Sequence, residues 1–114
     1  MRREKLCLQD IVEACDDIEE FIGGSDLQEF REDKRTKSAV LQKLAVIGEA
    51  ASRLPADFKA GHPEVEWMAI ADFRNRLIHG YFNLDWEIIW VAATEEVPAL
   101  RKQISEITKR EFEH

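Results

Sequence analysis

Four side chains within one short stretch, Arg74-Asn75-Arg76-Leu77-Ile78-His79-Gly80-Tyr81, have the makings of a reaction centre: Arg74, Asn75, His79 and Tyr81. A guanidinium offers a planar fork of donors that matches a phosphate, and it keeps its charge. An imidazole can take a proton from a hydroxyl near neutral pH. Together they suit metal-free cleavage of an RNA phosphodiester. The histidine removes the ribose 2′-OH proton, while the arginine holds the scissile phosphate and stabilises charge growing on its oxygens. Asn75 is placed to orient His79 or to hydrogen-bond the phosphate. The sequence carries no carboxylate cluster at metal-ligand spacing, Gly-rich phosphate loop, Ser or Cys nucleophile motif or nucleotidyltransferase signature, so neither a metal nor a cofactor is expected at the site.

The element that must position these groups reads as a helix from about Glu64 to His79, broken at Gly80. On a helical wheel Trp67, Ile70, Leu77, Ile78 and Tyr81 form one apolar arc, with Arg74 near its centre. A charge there needs a carboxylate, a phosphate or water. Asp72, Asn75 and His79 line the opposite side, which leaves His79 about 140° from Arg74 on a regular helix. Both reach one substrate atom only if the helix unwinds at Gly80 or a second subunit completes the cleft. On spacing alone a plainer reading stands beside this one: an ion-paired arginine on a core stripe, a histidine favoured by the helix dipole, and Tyr81 as a core aromatic with its hydroxyl at the rim.

The rest of the chain supplies a scaffold for that helix. Leu8, Ile11, Cys15, Ile18 and Ile22 recur at spacings of three and four, predicting a first helix from about Lys5 to Ile22, stopped by Gly23-Gly24. Ser25 is expected to cap a short helix over Asp26 to Glu32. Val40, Leu41, Leu44, Ile47, Ala51 and Leu54 mark a helix from Thr36 to Leu54, ended by Pro55, and Gly48 on its apolar face suggests close approach of a neighbouring backbone. Pro55 to Pro63 reads as a loop. A last helix starts after the N-cap Asp85, carries Ile89, Ala93, Val97, Leu100, Ile104 and Ile107, and should bend or restart at Pro98; Trp86 and Trp90 are expected to be buried. The fold expected is all-α: an up-and-down bundle of four main helices with one or two short ones, forming a single domain over residues 1–114.

Composition limits the partners. Of 114 residues 45% are hydrophobic and 34% charged, a globular balance. The net charge of −7 argues against non-specific nucleic-acid binding, so any such activity must come from a few local cations, and the same acidity fits a basic protein partner. No apolar run reaches the roughly 20 residues of a membrane span. Basic Met1-Arg2-Arg3-Glu4-Lys5 leads into an amphipathic segment rather than a signal peptide, so a cytoplasmic location and no membrane are expected. Cys7 and Cys15 lie too far apart on one helix to be joined, and Cys15 reads as a buried apolar residue.

Arg74 to Phe82 resembles the Arg-x4-His-x-Tyr signature of the HEPN superfamily in its HepT-like branch. Asp10-Ile11, Ile47 to Ala51, Leu54-Pro55, Pro63 to Trp67 and Asp85 to Trp90 extend the resemblance over nearly the whole chain. The resemblance implies a metal-independent endoribonuclease, the toxin of a toxin–antitoxin pair, with tRNA among its kinds of target and a homodimer whose motifs lie near the dimer cleft. It implies catalytic Arg74 and His79, supporting Asn75, and Tyr81 as the site where a minimal MntA-like nucleotidyltransferase antitoxin transfers AMP. Glu49 is a candidate partner for Arg74 in that context. The alternative is a non-catalytic accessory subunit that docks a nucleotidyltransferase and holds a nucleotide or phosphate with Arg74 and Asn75; a weaker third reading is a purely structural helical adaptor.

Overall fold

The stripe of Leu8, Ile11, Cys15, Ile18 and Ile22 becomes the buried face of α1 (Arg2–Ile22), none of the five more than 8% exposed. The structure is a computed structural model and describes residues 2–80 and 83–113. Gly23 ends α1 at φ 55°, in the left-handed region, with its N–H on the Glu19 carbonyl. Helix α2 (Leu27–Glu32) opens on a reciprocal box: Asp26 accepts from the Glu29 N–H at 2.9 Å, and Glu29 accepts from the Asp26 N–H at 3.0 Å. The cap is therefore Asp26 and not Ser25. Asp33 caps α3 (Lys34–Arg53) through the Thr36 N–H and hydroxyl. Those bonds hold its carboxyl below the usual range.

The segment expected as a loop contains a five-residue helix, α4 (Ala56–Ala60), after Pro55. Proline at its N-cap has no N–H to leave unpaired, and Asp57 lies in the first turn. Helix α5 (Trp67–His79) starts later than the sequence suggested. Residues 61–66 are held in turns: the Trp67 indole donates to the His62 carbonyl at 3.0 Å, Val65 is buried, and Gln103 donates to the Glu64 carbonyl at 2.8 Å. His62 itself is buried, its Nδ1 2.9 Å from the Phe58 carbonyl and its Nε2 3.4 Å from Glu111, so it secures this turn to the last helix.

Asp85 caps α6 (Trp86–Val91) by accepting from the Glu87 N–H. A π-helical turn, Ala92–Glu96, then leads into α7 (Val97–Phe112). Pro98 explains it. Its ring would clash with the Thr94 carbonyl in a regular helix, and it has no N–H to give. Instead the Val97 N–H reaches back to Ala92, and Thr94 donates its hydroxyl to Trp90. Phe30, fully buried, packs against Trp86 and Trp90 with ring centroids at 5.9 and 5.3 Å. The two tryptophans are only half-buried against the core, and Lys37 lies over Trp86.

The result is an all-helical, up-and-down bundle, with no strand among the described residues. Helix α1 lies between α3 and α7, and α5 packs chiefly on α3. No helix among the described residues is long and apolar enough to cross a membrane.

Candidate active site

Helix α3 builds the seat on which Arg74 rests. A Cβ added at Gly48 would lie 2.6 Å from the Arg74 Cβ, 2.9 Å from its Cγ and 2.8 Å from its Cδ. The close approach foreseen at Gly48 is therefore made by a side-chain stem and not by a backbone. At the end of that stem, Nη2 donates to Glu49 Oε2 at 2.7 Å, so Glu49 is the partner of Arg74. The other oxygen of the same carboxylate faces Arg53 Nε at 3.4 Å, one turn further along α3. Arg74 is not sunk in the core: its side chain is 31% exposed, and its Nε and Nη1 make no hydrogen bond to the described residues. It is an arginine with a buried stem and a usable head.

His79 and Asn75 lie elsewhere on the helix. Helix α5 stays regular through His79, and the Gly80 N–H closes it on the Arg76 carbonyl at 2.8 Å. Gly80 ends the helix at an ordinary φ of −115°, without unwinding it earlier. Arg74 and His79 therefore stay about 140° apart around the helix axis. Both Asn75 and His79 are exposed and make no side-chain hydrogen bond or ion pair with a described residue. Tyr81 lies outside the described residues.

The apolar arc is also narrower than the sequence suggested. Leu77 is buried, and Trp67, Ile70 and Phe73 pack partly against the core, but Ile78 is 51% exposed. Met68, one turn before Asp72, is 81% exposed. The outward surface of α5 thus carries Met68, Asn75 and His79, with Ile78 along its edge towards Arg74.

The electrostatics are local, as a net charge of −7 requires. Four cations are paired with carboxylates elsewhere: Arg31 with Glu87, Lys43 with Asp17, Arg101 with Asp16 and Arg110 with Glu64. In contrast, Arg76 and His79 occupy the last turn of α5 and Arg53 the last turn of α3. Cations at these ends complement the helix dipoles. Arg53 escaped the sequence reading, although its position four residues after Glu49 is a helical ion-pair spacing that could have flagged it. No three His, Cys, Asp or Glu side chains converge as metal ligands among the described residues.

Comparison with known proteins identifies the family. The family described as "Ribonuclease HepT-like" matches residues 11–107. The chain is 40% identical to "Probable ribonuclease HepT" of Thermococcus cleftensis, over 95% of this chain and 98% of that protein. It is 44% identical to a protein of Methanocaldococcus jannaschii that bears a provisional RNase name, over 90% of this chain and 84% of the other. A similarly named protein of Caldanaerobacter subterraneus is 35% identical, over 97% and 99%. No solved structure matches the chain at a significant level. By class this is an all-helical ribonuclease. The chain belongs to the HepT-like ribonuclease family.

Proposed function

We propose that this chain is a metal-independent endoribonuclease whose cleft is completed by a second copy of itself. Arg74 carries the reading: a fixed stem, one donor committed to Glu49, and the remaining donors open to a phosphate. In the reaction His79 takes the 2′-OH proton, the 2′-oxygen attacks the adjacent phosphorus to give a 2′,3′-cyclic phosphate, and the bond from phosphorus to the 5′-oxygen breaks, that oxygen taking a proton from water to leave as a hydroxyl. Arg74 holds the non-bridging oxygens as their charge grows, and Asn75 orients His79 or the phosphate.

The geometry of α5 supports the dimer. Arg74 and His79 of the same chain face apart, so the Arg74 of one protomer is served by the His79 of another. The exposed Met68 and Ile78 give α5 apolar surface for that contact.

In the cell the chain is the cytoplasmic toxin of a toxin–antitoxin pair, with tRNA as a candidate target, and its partner is an MntA-like nucleotidyltransferase. The Tyr81 hydroxyl attacks the α-phosphorus of ATP held by that partner, diphosphate leaves, and AMP remains on the tyrosine. The added anion, two residues from His79, competes with an RNA phosphate for Arg74.

The divergence of Arg74 and His79 also favours a second reading, in which the chain only binds phosphate as an accessory subunit of the nucleotidyltransferase. Incubating purified protein with tRNA in EDTA decides between them. Cleavage lost in both Arg74→Ala and His79→Ala supports the nuclease; wild-type protein that binds the RNA and leaves it intact supports the accessory subunit.

A further inference from the structure

Arg53 sits beside Arg74 on the same carboxylate, yet the family motif begins at Arg74 and gives Arg53 no role. Its Nε faces Glu49 Oε1 at 3.4 Å, while Arg74 Nη2 sits on Oε2 at 2.7 Å. The single carboxylate therefore faces two guanidinium groups, one from α3 and one from α5. The trio carries a net charge of +1 in a protein of net charge −7.

The head of Arg53 is available. Its side chain is 65% exposed, only its Nε faces a partner, and its two terminal amino groups make no hydrogen bond among the described residues. An exposed ion pair of this length contributes little to folding, so stability alone gives weak reason for an arginine here. Arginine forks of this kind suit phosphate oxygens, and a nucleic-acid strand offers a phosphate at every step.

We propose that Arg53 is a second phosphate-binding residue of the site, placed beside Arg74 by their shared Glu49, and that it holds a neighbouring backbone phosphate of a single-stranded RNA segment. The inference rests on the ribonuclease reading for its substrate. Arg53 touches a non-scissile phosphate, so it governs binding and leaves the chemical step to Arg74 and His79.

The test measures the salt dependence of binding. His79→Ala protein, which cannot cleave under this reading, is titrated by fluorescence anisotropy into short labelled single-stranded RNA from about 50 to 200 mM salt. Adding Arg53→Ala should weaken binding about 5-fold near 0.1 M salt and make the plot of log K against log salt shallower by about 0.7, the loss of one phosphate contact. Arg53→Lys keeps the charge and should keep the slope. In the cleaving protein, Arg53→Ala should raise KM about 5-fold with kcat within 2-fold. An unchanged slope overturns the inference, as does a lowered kcat without a slope change, since Arg53 would then act only through Arg74. The two readings fail separately. RNA that wild type cuts, bound with an unchanged slope, overturns this inference alone. RNA left uncut by wild type but bound with the shallower slope overturns the nuclease and supports the contact. An absence of RNA binding overturns both.

Discussion

The stem of Arg74 fills the space that a side chain at position 48 would occupy, three of its carbons lying within 3 Å of where a Cβ would stand. Two effects compete in Gly48→Ala. Helix propensity favours alanine by about 1 kcal/mol, while overpacking against a stem costs about 1–3 kcal/mol. We expect net destabilisation of about 1 kcal/mol in urea unfolding, with RNA cleavage lowered at least 10-fold because the guanidinium is displaced. A variant as active as wild type would show that Arg74 needs no seat.

His79 and Arg74 should separate chemistry from folding. His79 is exposed and unbonded to the described residues, so His79→Ala should change unfolding free energy by less than about 0.5 kcal/mol. Its cleavage rate should fall by about 10²-fold or more. Arg74→Ala should lose about 10²- to 10³-fold, and Arg74→Lys should recover little of it, because an ammonium lacks the fork. Rates measured with and without EDTA should coincide.

Phe30 offers the opposite case. It is fully buried, far in sequence from the motif, and joins α2 to the two tryptophans of α6. Phe30→Ala should cost about 3–5 kcal/mol by leaving a cavity. The loss would appear in the denaturant midpoint, and RNA cleavage per folded molecule should remain near wild type.

The cysteines give a pH prediction. Burial, with Asp16 adding to it, pushes the Cys15 thiol up to about 12 from an ordinary value of 9.0. Burial, with Asp10 second, raises Cys7 as well. The folded state holds these protons more tightly than the unfolded chain does. Their stabilising contribution is therefore complete below about pH 9 and is lost as pH rises towards 12. The melting temperature should fall across that window, less steeply in Cys15→Ala. Alkylation of Cys15 at pH 8 should be far slower in native protein than in denaturant.

Periodicity revealed the helices that bury whole stripes. The residues of α1 spaced three and four apart are all in the core, and Pro98 announced the disturbance that appears as a π-helical turn. Local chemistry was harder to rank. Ser25 and Asp26 are both good caps, and only the reciprocal bond from Glu29 chooses between them. The short α4 was hidden because Pro55, Gly61 and Pro63 are all turn residues, and five residues show no period. At the site, an apolar arc containing a charge showed that Arg74 needed a partner, and Glu49 proved to be it. The outward turn of Ile78 was not legible, because a wheel shows which residues share a face but not how wide a neighbour covers it. Arg53 went unseen for a related reason: its importance comes from sharing a carboxylate with a residue on another helix.

Helix α5 is anchored along one narrow side, with Leu77 its sole buried side chain among thirteen residues. Local opening of such an element costs less free energy than unfolding the domain. Its amide protons should exchange with solvent well before those of α1, whose buried stripe lies between two neighbours. Heating would then unseat the arginine and the histidine while most of the helical signal persists. Catalytic loss would precede the circular-dichroism melt, and a second protomer laid along α5, or RNA bridging α3 and α5, would bring the two curves together.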